Sequence, residues 1–292
     1  MTPVRMITLG TIVAVSILSS AYTLGRSMAG HPDGRPAGFA ADASPDGGRR
    51  SAADGASGTG TAPVPTHPAA TRTPDARLPQ LPAEAGGPFG ARQTTGTSDV
   101  ALTFDDGPDP TWTPQVLALL RAAGVQATFC LVGSNAQQHP DLVRAIAADG
   151  HTLCNHSWSH DLRLGTRSPA VIRDELNRTT SVIQAAVPGA RIAYFRAPGG
   201  NWNPTLVTIA RQLGMTSLHW AVDPRDWERP GSQAVVDFVA SGTVAGSIVL
   251  LHDGGGDRGQ TVAALGKLLP ELRQRFQLRS LPTGPRAQTP PP

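Results

Sequence analysis

Two aspartates, Asp105 and Asp106, stand side by side at the end of a short apolar run in "LTFDDGPD". Adjacent carboxylates repel each other and cost free energy if both ionise unaided. A nearby cation would justify the pair; without one, a solvated turn accounts for it. Further along, "NHSWSH" sets His156 and His160 four residues apart. On one helical turn that spacing puts both imidazoles on one face, although such a pair alone is as readily solvated surface. One aspartate with two histidines makes a ligand set for Zn²⁺ or a similar divalent ion, with positions left open for water and substrate. On this reading Asp106 binds the metal. Asp105 stays free beside it to take a proton from an activated water.

The elements that must position these residues alternate along the chain. Apolar runs at Asp99 to Phe104, Ala127 to Val132, His151 to Cys154, Ala193 to Arg196, Thr216 to Val222 and Ser247 to His252 read as strands. A weaker seventh runs from Gln277 to Ser280. Between them, helical patterns cover 113–123, 140–149, 168–186, 204–213, 232–241 and 261–275. Thr113-Pro114 and Ser168-Pro169 mark two of the helix starts, a capping side chain followed by a first-turn proline. Strands alternating with helices predict an α/β domain of parallel strands with helices outside. In such folds sites form at the C-terminal ends of strands. There the chain places Asp105-Asp106, Asn155-His156, Arg196, Asp223 with Asp226, and His252-Asp253. Five strand ends converge on one expected site.

The motifs "TFDDGP" (103–108), "HSWSH" (156–160), "RAPGG" (196–200), "DPRDW" (223–227) and "IVLLHD" (248–253) follow in this order. Together they resemble the five motifs of the NodB-type polysaccharide deacetylases, carbohydrate esterase family 4. The resemblance covers the whole expected domain and implies a distorted, incomplete (β/α) barrel. It also implies metal-dependent removal of an acetyl group from a glycan, with Asp105 as general base and Asp106, His156 and His160 as metal ligands. Arg196 would keep Asp105 ionised and oriented; His252 would protonate the leaving group. A carboxylate must charge His252, and Asp226 is favoured over Asp223. The oxyanion would be met by the metal and the backbone N–H of Gly199, where many relatives carry an aromatic residue. Trp227 and Leu250 would line a pocket for the acetyl methyl, or be ordinary core. Trp112, Trp158 and Trp202 lie near motifs; Trp158 is the preferred sugar-stacking wall. The expected cofactor is Zn²⁺, with Co²⁺ or Ni²⁺ as alternatives.

The rest of the chain bears on where this domain works. Of 292 residues, 32 are Gly and 27 Pro, unevenly spread. The net charge of +3 lies outside Ser98 to Ser280, which holds 16 basic and 16 acidic residues. That balance argues against a nucleic-acid face. Residues 1–29 combine Arg5, an apolar run from Met6 to Leu24 and small residues near Ala21 and Ala29. They read as a cleaved secretory signal or an uncleaved anchor, the only expected membrane contact. Residues 30–96, rich in Ala, Gly, Pro and Thr, read as a disordered tether, residues 97–280 as the catalytic domain and 281–292 as a Pro-rich tail. In an exported protein Cys130 and Cys154, on neighbouring expected strands, read as a disulfide; buried thiols or metal ligation are the alternatives. The expectation is a secreted or anchored monomer acting on chitin-type oligosaccharides or peptidoglycan amino sugars. Its rivals are an esterase of O-acetylated xylan, a silent glycan-binding domain and a structural stalk.

Overall fold

The computed structural model of the protein describes residues 86–284. The expected signal or anchor, most of the tether and most of the tail lie outside them. Six parallel strands form one sheet: β1 (Ala101–Asp105), β2 (Thr128–Leu131), β3 (Thr152–Asn155), β4 (Tyr194–Phe195), β5 (Thr216–Ser217) and β6 (Ile248–His252). Their spatial order is β5-β4-β3-β2-β1-β6. Seven helices accompany them: α1 (Thr113–Ala123), α2 (Gly133–Gln138), α3 (Pro140–Ala148), α4 (Pro169–Ala186), α5 (Pro204–Gln212), α6 (Ser232–Gly242) and α7 (Gly259–Arg275). Among the described residues no helix is long and apolar enough to cross a membrane.

The two faces of the sheet bury different things. Outward side chains such as Phe104, Phe129, Leu153, Phe195 and Leu251 join the helices in one large apolar core. The stacked rings of Phe104 and Phe129 are 5.1 Å apart there. Inward side chains alternate with these, as strand period two requires. They form level rows across the barrel: Leu250, Thr103, Thr128 and Thr152, then His252, Asp105, Cys130 and Cys154. The strand register thus decides which polar residues share the barrel mouth.

Closure is partial. The run Thr216 to Val222, expected as one strand, is regular only at Thr216–Ser217. Beyond it His219 donates its N–H to Arg92 O, while Val222 bridges to Val249 beside β6. The chain leaves one neighbour for another, which no single strand can do. The expected seventh strand is reduced to one bridge between Val100 and Leu278, and α2 was not expected.

The domain boundaries also move. Residues 91–95, expected within the tether, bridge Leu218 through Arg92 and Ser247 through Thr94. Ala91 and Arg92 are buried. At the other end Leu281 is buried and Pro282 O accepts from Tyr194 Oη. The N-terminal flank packs through backbone pairing, the C-terminal one through the Leu281 side chain and hydrogen bonds from side chains to its backbone. Helix starts follow the expected chemistry at α4, where Ser168 Oγ accepts from Val171 N. At α1 they do not: Thr113 lies inside the helix, and its hydroxyl reaches Asp253 instead.

Candidate active site

Asp105 ends β1, and the next residue turns sharply: Asp106 has φ 71. That turn gives the two carboxylates different main partners, although both approach His156, whose Nε2 lies 3.6 Å from Asp105 Oδ2. Asp105 Oδ1 accepts from Arg196 Nη1 at 2.7 Å. Arg196, fully buried, also donates to Thr103 Oγ1, Leu218 O and His219 O. Four acceptors hold the guanidinium, so it fixes the Asp105 carboxylate from one side.

Asp106 faces the histidines. Its Oδ1 lies 3.4 Å from His156 Nε2 and 3.1 Å from His160 Nε2. The donor atoms of these three residues fall within 4.8 Å of one another. Burial opposes the Asp106 charge, but His156 and His160 outweigh it and hold the carboxyl well below its ordinary range. His156 Nδ1 lies 2.8 Å from Arg196 O. A carbonyl can only accept, so Nδ1 carries a proton and Nε2 is the nitrogen turned toward Asp106; burial pushes this imidazole down, but the Asp105 and Asp106 carboxylates prevail and raise it above its ordinary value. Asp106 Oδ1 is buried and has no hydrogen-bond partner among the described residues. A buried carboxylate oxygen facing imidazole nitrogens fits a divalent cation, and the donor types suit Zn²⁺, Co²⁺ or Ni²⁺.

The two histidines do not share a helical turn, as the spacing had suggested. Ser157 (φ 63) and His160 (φ 54) lie in the left-handed region, and residues 156–160 form a loop. Side chains from outside shape it. Asn155 Oδ1 accepts from Ser157 N, and Glu175 Oε2 accepts from Trp158 N and Ser159 N. The His160 side chain remains 34% exposed, so the cluster opens to solvent on that side.

On β6, His252 Nδ1 lies 2.7 Å from Asp226 Oδ1. Asp226 Oδ2 accepts from His252 N and Thr261 Oγ1. Burial pushes the His252 imidazole down, but its hydrogen bond to Asp226 and that residue's charge prevail, raising it to about 9. Asp223 instead accepts from Arg225 N, and burial raises its carboxyl. Geometry therefore selects Asp226 over Asp223 as the partner of His252.

The other expected residues divide. Gly199 is exposed with φ 60, beside Leu162. Leu250 is buried one row below His252, and Trp227 is 47% exposed. Trp158 is half-buried, with the Arg178 guanidinium 3.5 Å over one face of its ring. Trp202 is core, edge-on to Phe195. Cys130 and Cys154 pair in register and form a disulfide in the row of Asp105. Several contributors escaped the motif reading. Thr103, inside a quoted motif, was reachable through strand alternation. Asn155, Asn135 and Glu175 act by holding backbone, which leaves no chemical signature; Asn135 Nδ2 donates to Asp106 O.

A family model described as polysaccharide deacetylase matches residues 92–218. A chitooligosaccharide deacetylase from Sinorhizobium fredii is 42% identical over 203 residues, 65% of this chain and 94% of that protein. The chain belongs to the polysaccharide deacetylase family. Two solved structures are similar as well. A peptidoglycan N-acetylglucosamine deacetylase, Bc1960, superposes with TM-score 0.62 at 31% identity, over 68% of this chain and 89% of its own. A family 4 pseudoenzyme from Bacillus anthracis does so with TM-score 0.59 at 27% identity, over 64% and 65%. Within this polysaccharide deacetylase the matched segment holds Asp105, Asp106, His156, His160, Arg196 and Gly199. Asp226 and His252 lie beyond it, and their place in the site rests on the geometry above.

Proposed function

We propose that the protein is an exported, metal-dependent deacetylase of N-acetylated glycans, of the chitin-oligosaccharide or peptidoglycan amino-sugar type. One observation carries the reading: a cation-ready cluster of Asp106, His156 and His160 stands with an arginine-braced carboxylate and a carboxylate-braced imidazole. The named relatives act on both glycan types, and the apolar run Met6 to Leu24 and the disulfide support export.

A divalent ion held by these three residues would supply polarisation of the acetyl carbonyl and acidify a bound water. Asp105, oriented by Arg196, accepts a proton from the water that attacks the acetyl carbon. The backbone N–H of Gly199 donates to the developing oxyanion. His252, charged through Asp226, gives its proton to the departing nitrogen as the C–N bond breaks, leaving acetate and a free amine. Trp227 and Leu250 border the acetyl methyl. The same groups would open an O-acetyl ester, so xylan remains the second reading within this chemistry. A silent relative exists in the family, but every acid, base and ligand position is filled here.

Paired substitutions test the roles. Asp105→Ala should lose activity about 10²-fold or more while still binding metal; His156→Ala should lose both activity and metal. Near-full turnover by Asp105→Ala would remove that carboxylate from the reaction.

A further inference from the structure

Asp253 follows His252, is fully buried, and has no part in the steps above. Its Oδ2 accepts from Thr113 Oγ1 at 2.5 Å, and that hydroxyl in turn accepts from Asp109 N. Its Oδ1 has no hydrogen-bond partner among the described residues. A Cβ on Gly107 would sit 2.5 Å from both carboxyl oxygens. The carboxyl group therefore lies against the Gly107 backbone, one residue beyond Asp106, and ties it through Thr113 to α1.

The next residues grip Asp106 itself. A Cβ on Gly254 would lie 2.4 Å from Asp106 O, and one on Gly255 would lie 2.5 Å from Asp106 Oδ2. Only side-chain-free backbone fits so close to both ends of that residue. Arg258, buried and without a carboxylate partner among the described residues, holds this glycine stretch. Its Nε donates to Gly254 O at 2.7 Å and its Nη2 to Gly255 O at 3.1 Å. The carbonyl of Asp106 is held further by Asn135.

We propose that Asp253 and Arg258 are positioning residues that lock the turn at Asp106, so that its carboxylate meets His156 and His160 at the distance a cation requires. The inference takes from the proposed function only the assignment of those three residues as cation ligands. Groups that orient ligands in this way typically change metal affinity 10–100-fold when removed.

The test uses the full chain and measures Co²⁺ binding by calorimetry, the thermal midpoint, and kcat and KM at saturating metal. Asp253→Ala, Thr113→Val and Arg258→Met should each weaken Co²⁺ binding about tenfold. They should lower kcat and leave KM nearly unchanged, because the turn and not the glycan cleft is disturbed. Asp253→Asn, which keeps shape and the acceptor for Thr113, should recover most of the affinity. Folded Thr113→Val and Arg258→Met with wild-type Co²⁺ affinity would overturn the proposal, whether or not Asp253→Ala folds. So would an Asp253→Asn as weak as the alanine variant, since charge would then be the cause. His156→Ala separates the two claims: if it binds Co²⁺ normally, the ligand assignment fails. If it alone loses Co²⁺, only the positioning role fails.

Discussion

His252 and Asp226 show how one contact sets a working pH. Burial alone would strip the imidazole of its charge; the 2.7 Å contact with Asp226 raises it to about 9. An imidazole raised above its ordinary value of about 6.5 contributes stability that is whole below that value. The contribution is lost as pH rises through about 9. On the proposed mechanism the same titration would remove the proton that the leaving amine needs. Asp226→Asn should therefore shift the basic limb of the rate profile from near 9 toward the ordinary histidine range; an unmoved limb would detach Asp226 from the acid. These residues were legible in the sequence because each stands inside a short motif at the end of an apolar run. The choice between Asp223 and Asp226 was not, because it depends on a turn whose N–H at Arg225 claims the first carboxylate.

Strand alternation explains why the site assembles where it does. Inward positions of β1, β2, β3 and β6 share a level, and that level contains Asp105, the two cysteines and His252. The disulfide joins the walls of β2 and β3 beside Asp105 and closes a loop with a sequence separation of 24. Closing a loop of that size is worth roughly 3 kcal/mol of denatured-state entropy. The double variant Cys130→Ala, Cys154→Ala should lose stability of that order in urea titration, and an unchanged midpoint would refute the estimate. The existence of these strands and helices was readable from apolar runs and proline-marked starts. The conformation of residues 156–160 was not. A four-residue histidine spacing fits a helical turn, but Asn155 and Glu175, the latter 15 residues beyond His160, bend this segment into a loop. Long-range capping of that kind has no local pattern to read.

At the scale of the molecule, the folded part is larger than its hydrophobicity suggests. Residues 86–96 looked like tether because they lack a run of large side chains, yet Arg92 and Thr94 complete backbone pairing that the open side of the barrel needs. Backbone hydrogen bonds are blind to side-chain type, which is why composition placed the boundary late. The neutral charge of the domain, the convergent strand ends and the family membership all point one way. The protein is a polysaccharide deacetylase, and among its described residues the side chains proposed for that chemistry gather at the C-terminal ends of the strands. The most direct measurement is acetate release by the full chain, stripped of metal and then restored with Zn²⁺ or Co²⁺. N-acetylated chitooligosaccharides, peptidoglycan fragments and acetylxylan would be offered side by side. The account predicts acetate only with metal, and from an N-acetylated glycan in preference to acetylxylan. A folded, metal-loaded protein that releases none from any of the three would contradict it and make the chain a silent glycan-binding relative.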